Sequence, residues 1–303
     1  MAKLPAMKAN TVAQDLTISG KNTLTIKNVL VGDVWVCSGQ SNMAQPLRRV
    51  IGRDVNNPKG LGQANYSQIR LYKMHRIGAL EPQTECEGNW SVCTPEAAME
   101  FSATGYFFGR EIHLAERIPV GLIGANRGST SAEYWTSLEA LQSEAVLAKY
   151  VNSALAAKAD YPERKERYVQ DMLKWKQDNA RWSETLKQWE ADAAKASAEG
   201  KAPPSKPKQP GAVPVRPVGM DRWDDNFMAV PTVLFNGMMA PLMPFGIKGV
   251  IWYQGGRQCR RGGALSDALP DNDSGLAKPL GPGQLPLLLC AATQLHGAQG
   301  SAG

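Results

Sequence analysis

Short apolar runs alternate with stretches of helical period along most of this chain, and the alternation predicts its elements. Leu16-Thr17-Ile18 and Leu24-Thr25-Ile26 alternate in hydrophobicity around Ser19-Gly20-Lys21-Asn22, the signature of a β-hairpin. Val29 to Cys37 is an apolar run rich in β-branched residues, broken at Gly32-Asp33, and reads as a buried strand. Ile69–Tyr72 and Val120–Ile123 read as further strands; Thr104–Glu116 and Ser137–Ala157 carry helical periodicity. Strands alternating with helices imply an α/β fold, a parallel sheet covered on both faces.

Residues 161–199 break this rhythm. They are dense in charge, have no proline between Pro162 and Pro203, and predict one long helix or a helical pair. Tyr168, Trp175, Trp182 and Trp189 recur every seven residues, so they share one face. That stripe must pack on something; a core or another helix is the expected partner, with carbohydrate stacking as the alternative. Pro203, Pro204, Pro207, Pro210, Pro214 and Pro217 then predict an extended, solvated linker. Residues 161–224 thus have the character of a helical and Pro-rich insertion. From Gly256 to Gly303 there is no Val, Ile, Phe, Tyr, Trp, Met or Glu, which predicts a disordered or poorly packed tail with little strand propensity.

Composition narrows the function classes. The chain has 303 residues, 43% of them hydrophobic, and a net charge of +6. The basic residues are scattered or interleaved with acids rather than gathered in a stripe, which argues against a nucleic-acid partner. The most apolar region, 228–253, is interrupted by Pro231, Asn236, Pro241, Pro244 and Lys248, which argues against a membrane span. Residues 1–13 lack the apolar core of a signal peptide. Five cysteines without close paired spacing suggest neither a zinc site nor a disulfide framework. Cys86 and Cys93 are open to either a bridge or two free thiols. No metal or organic cofactor is implied.

Candidate chemistry sits in Ser38-Gly39-Gln40-Ser41-Asn42, just past the carboxyl end of the strand that closes at Cys37. Open α/β sheets bind ligands at that edge, and a glycine beside the serine permits the sharp turn that lifts a hydroxyl into a cleft. Met43 replaces the second glycine of a Gly-x-Ser-x-Gly elbow, so this is not that motif.

The block Gly32-Asp33-Val34-Trp35-Val36-Cys37-Ser38-Gly39-Gln40-Ser41-Asn42-Met43 resembles the first block of the sialate O-acetylesterases, which are SGNH-type carbohydrate esterases. Further similarity runs through Phe101–Glu111, Ile118–Ile123, Trp135-Thr136-Ser137, Leu234–Leu242 and Ile247–Gly255, covering roughly residues 20–160 and 225–255. The resemblance implies a three-layer α/β/α SGNH-hydrolase-like domain. It is made of residues 31–160 and 225–255, split by the 161–224 insertion, preceded by a β-sandwich remnant (1–30), and followed by the anomalous tail (256–303). The implied reaction removes acetyl groups from sugar hydroxyls through an acetyl-serine intermediate at Ser41, with acetylated carbohydrate as the partner.

By the same resemblance, the Ser41 and Gly128 amides form the oxyanion hole, and Gln40, Asn42 and Gln254 are candidate substrate contacts. Arg127 stands where the family has tryptophan, and Ser129 where it has a second glycine; a left-handed backbone at Ser129 would be strained. Gln258 occupies the place of the family's asparagine donor. The family's base comes from an Asp-x-x-His block. Of the three histidines here, His75 and His113 have structural surroundings, and His296 has Thr293 three positions before it. The chain therefore reads as catalytically incomplete and as a piece of a longer protein, with a reading-frame shift near codon 256 as the explanation offered for the tail. The alternative is a non-catalytic carbohydrate-binding relative. Relatives of this class are commonly secreted, periplasmic or lysosomal.

Overall fold

A computed structural model describes residues 7–51, 64–217, 230–243, 245–254 and 287–291. Among these residues a six-stranded sheet runs in the order β5-β4-β6-β3-β7-β8. Its strands are β3 (Asp33–Gly39), β4 (Tyr66–Met74), β5 (Gly88–Cys93), β6 (Val120–Asn126), β7 (Gly249–Gln254) and β8 (Leu287–Ala291). Neighbours are parallel except β4 and β5, which are antiparallel, so the expected parallel sheet is a mixed one with an antiparallel edge. Gly88–Cys93 is too polar to register as a strand by periodicity; pairing with β4 defines it.

Adjacent positions on the strands face opposite ways, as a pleat requires. Cys37, Leu122 and Ile251 enter one buried cluster, together with Met43, Leu47 and Tyr106. Val36, Ile123 and Val250 enter the other, with Trp135, Leu234 and Met238. The first face is covered by α4 (Ala103–Glu116), after α1 (Ser41–Ala44), α2 (Leu47–Ile51) and α3 (Pro95–Met99). The second is covered by residues 230–242, which include a π-helical turn at Phe235–Met239. The result is a three-layer α/β/α arrangement.

The apolar run Val29–Cys37 is two strands rather than one. β2 (Thr23–Val31) pairs with β1 (Asn10–Ser19) in a separate hairpin, and the chain breaks at Gly32 before β3 enters the main sheet. Ile18 pairs with Leu24 and Leu16 with Ile26, which puts these four side chains on one face; Ile18, Leu24 and Ile26 are exposed there. The single helix expected over 137–157 divides into α5 (Leu138–Gln142) and α6 (Ala148–Ala159), separated by a 3-10 turn at Ala145–Leu147. Where the sequence argues against strand in the tail, Leu287–Ala291 extends the sheet beside β7; backbone pairing does not need β-branched residues when an edge is on offer. The rest of the tail, and residues 218–224 of the insertion, lie outside the described residues. Cys37, Cys86 and Cys93 are free thiols.

The insertion departs most from expectation. α7 (Tyr161–Ala198) is a single 38-residue helix with no buried residue, and among the described residues its tryptophan stripe enters neither buried core cluster. It is covered by the proline-rich segment, which is extended but packed. Trp175 Nε1–H donates to the Gly211 carbonyl (2.9 Å), Trp182 to Pro207 (3.3 Å) and Trp189 to Pro204 (2.7 Å). The periods match: seven helical residues rise about 10.5 Å, and three or four polyproline residues rise about 9–12 Å. Proline leaves its own carbonyl as an acceptor without offering an N–H, so an antiparallel polyproline strand suits a ladder of indole donors. A cleft of about 630 Å³ beside this seam is lined by Trp175, Trp182, Asp178, Pro207 and neighbours.

Trp182→Ala removes the central rung. Trypsin is expected to cleave after Lys201 and Lys208 about tenfold faster in that variant, because local opening exposes the segment, while the α/β domain keeps its thermal midpoint. Unchanged cleavage would show that the ladder does not hold the segment.

Candidate active site

Three side chains near the end of β3 could act as nucleophiles, and burial separates them. Cys37 is fully buried, and desolvation raises its pKa far above the ordinary thiol range, so the thiolate is not formed there. Ser38 is fully buried too, with its hydroxyl directed at Met239 Sδ (3.9 Å). Ser41 is exposed at the first position of α1.

The turn that produces this exposure depends on Gly39. Its φ of +127° is one that side-chain-bearing residues rarely adopt, and a Cβ there would lie 2.3 Å from the Tyr253 carbonyl oxygen. The backbone passes so close because β3 is hydrogen-bonded on both sides. Gly39 is in register with Asn126 of β6 and Tyr253 of β7; Gln40 N–H donates to Tyr253 O (3.0 Å), and Arg127 N–H donates to Gly39 O (3.0 Å). Beyond the turn, Met43 is 1% exposed and anchors α1, and Thr104 Oγ1 donates to the Asn42 carbonyl (3.2 Å). Ala103 N–H donates to Gln45 O, and Leu47 N–H to Phe101 O, each at 2.9 Å.

Parallel register brings the loop after β6 to the same end of the sheet. Ser129 N–H donates to Ser41 Oγ at 3.3 Å, and a Cβ on Gly128 would sit 3.5 Å from that oxygen. Ser129 has φ +62°, the left-handed conformation foreseen as strained for a non-glycine; it costs about 1–2 kcal/mol. Thr130, 3% exposed, fixes the loop from within: its Oγ1–H donates to Arg127 O (2.7 Å) while Trp135 Nε1–H donates to Thr130 Oγ1 (3.0 Å). Gln254, at the end of β7, donates from Nε2 to Thr130 O (2.8 Å). Trp135 and Trp252 pack edge-on beneath it, ring centroids 5.7 Å apart. The Thr130–Trp135 link escaped sequence reasoning, since threonine and tryptophan five apart carry no signal of their own.

Ser41, Gly128 and Gln254 are thus gathered at one edge, with Gln40 and Asn42 flanking the serine in the chain. Neither of the two described histidines is gathered with them. His113 Nδ1–H donates to Ile118 O (2.7 Å) where α4 turns toward the start of β6, the end of the sheet opposite Ser41. His75 follows β4 at the same end as Ser41 but two strands from β3, about 10 Å across the sheet. Its Nδ1 lies 3.2 Å from Glu87 Oε2, with both side chains about half exposed. His296 and Gln258 lie outside the described residues. Among the described residues there is no cluster of His, Cys, Asp and Glu able to hold a metal, and no helix long and apolar enough to cross a membrane.

Comparison with known proteins finds esterases among those similar to this chain. The chain is 29% identical over 242 residues to sialate O-acetylesterase from Mus musculus, which covers 77% of this chain and 36% of that protein. It is 28% identical over 253 residues to the Rattus norvegicus sialate O-acetylesterase (80% and 38%) and 33% identical over 130 residues to the Homo sapiens one (40% and 24%). Among solved structures, a carbohydrate acetylesterase from Xanthomonas citri is 26% identical with a TM-score of 0.49, covering 83% of this chain and 39% of that one. No family model matches. The chain spans little more than a third of the length of the Mus musculus and Rattus norvegicus relatives.

The Gly39 turn yields a direct check. Gly39→Ala must displace either β7 or the Ser41 turn, and destabilisation of about 4 kcal/mol or more is expected in urea unfolding; a loss under about 1 kcal/mol would show that β3 and β7 do not pass as closely as described.

Proposed function

We propose that this chain, a relative of the sialate O-acetylesterases, is a carbohydrate O-acetylesterase that works through an acetyl-Ser41 intermediate. The observation that carries the reading is an exposed serine hydroxyl at the end of the central strand, touched by a backbone amide of the neighbouring strand's loop. Serine esters form and break through a tetrahedral oxyanion, which needs donors fixed in advance. The amide of Ser41, free at the start of α1, and the amides of Gly128 and Ser129 supply them in this proposal.

Ser41 Oγ gives its proton to the base and attacks the acetyl carbonyl; the carbonyl oxygen takes the negative charge; the bond to the sugar oxygen then breaks, and that proton passes to the sugar oxygen to complete its hydroxyl. Water attacks the acetyl-serine and acetate leaves. Gln40 and Asn42 flank the nucleophile and are assigned to the sugar. Gln254, also a candidate sugar contact, uses one amide N–H on Thr130 O and has its Oε1 buried, so its second N–H is the group left to serve a ligand. The reaction needs a base, which the resemblance places in an Asp-x-x-His block; Ser41 has no histidine partner among the described residues. That observation favours a second reading, a carbohydrate-binding relative without turnover.

Hydrolysis of 4-nitrophenyl acetate and of acetylated xylan by the full chain, beside Ser41→Ala, separates the two. The esterase reading expects Ser41→Ala to lose at least about 10³-fold in kcat. Equal rates in both proteins contradict it and favour an inactive fragment or a glycan binder.

A further inference from the structure

We infer that Gln254 is a positioning residue that holds the left-handed Ser129 amide against the nucleophile, acting through Thr130; the inference rests on the esterase reading above. A chain of contacts carries it. Gln254 ends β7, a strand in register with β3 on the side opposite β6. Its carboxamide reaches across that end of the sheet to the Thr130 carbonyl at 2.8 Å. Only the NH₂ end of a carboxamide can face a carbonyl, so this contact fixes the orientation of the group. Its Oε1 is buried and has no hydrogen-bond partner among the described residues. The donor end is therefore what anchors the side chain.

Thr130 follows Ser129, whose φ of +62° is disfavoured for serine. Such a backbone persists only where its surroundings over-determine it. The loop is tied on its near side by Arg127 N–H to Gly39 O and within by Thr130 Oγ1–H to Arg127 O. Gln254 supplies the restraint on the far side. Without it, among the described residues β7 restrains the loop through Trp252 against Trp135 alone, and Ser129 relaxes toward negative φ, which swings its N–H away from Ser41 Oγ.

This account makes a demand that simple packing does not. If Gln254 acts by holding a disfavoured backbone, removing the disfavour at Ser129 must reduce the need for Gln254. Gln254→Leu is expected to accelerate amide hydrogen exchange in the 127–131 segment about tenfold and to lower kcat about 10²-fold with KM changed by less than about threefold. Ser129→Gly combined with Gln254→Leu should recover at least about tenfold of that kcat. Gln254→Glu should match the leucine variant at neutral pH, where the carboxylate has no donor. Its rate relative to the parent should rise as pH falls through the carboxyl range and an O–H becomes available.

Circular dichroism and the thermal midpoint of each variant establish that it folds. Unchanged exchange overturns the inference, as does an unchanged kcat, or a double variant no faster than Gln254→Leu in a chain that turns over. If the parent is no faster than Ser41→Ala, the esterase reading fails by itself. Exchange then still decides whether Gln254 holds the loop.

Discussion

β3 is hydrogen-bonded between β6 and β7, and its last residue leaves the sheet at a point where a side chain has no room. Gln40 N–H and Gly39 O are claimed by Tyr253 and Arg127 from opposite sides. The backbone must therefore turn within one residue, and glycine at φ +127° lets it do so. Everything chemical in the molecule follows from that confinement. Cys37 and Ser38 stay buried within the strand, Ser41 emerges, and the loop from β6 arrives beside it because the two strands end in register.

Confinement also explains why polar groups near the serine are spent on structure. Thr130, Trp135 and Gln254 hold a loop in a conformation that serine disfavours. Strain of this kind is found where a backbone donor must point in a direction the chain would not choose. The two buried clusters on either face of the sheet keep β3, β6 and β7 fixed relative to one another, and the position of each donor inherits their rigidity.

Much of this was legible in the residues, and the reasons it was not complete are physical. The strand before Ser41, the helix over 103–116 and the strand at 120 have strong periodicity and few competing conformations. The Gly39 turn was legible as small residues after an apolar run. β5 was not, because its pairing partner rather than its composition makes it a strand. Nor was the fate of the tryptophan stripe. Seven-residue spacing states that a face must be covered, and proline every three or four residues states that a segment is extended. That the two cover each other appears once helical and polyproline rises are set side by side. Around the site, Ser129 was marked as a position of strain by a departure from the resembled family, whereas the hydrogen bond from Gln254 that holds it spans 124 residues of sequence and leaves no local trace.

The central claim is that Ser41, alone among the side chains of this turn, forms a covalent bond to the acyl group. Rapid mixing of the full chain with 4-nitrophenyl acetate, acid quenching and peptide mass spectrometry reads this bond. The account predicts one acetyl group on the tryptic peptide 28–48, located at Ser41, and none on Cys37 or Ser38. An acetyl group on another residue of that peptide, or no adduct above that found in Ser41→Ala, would contradict it.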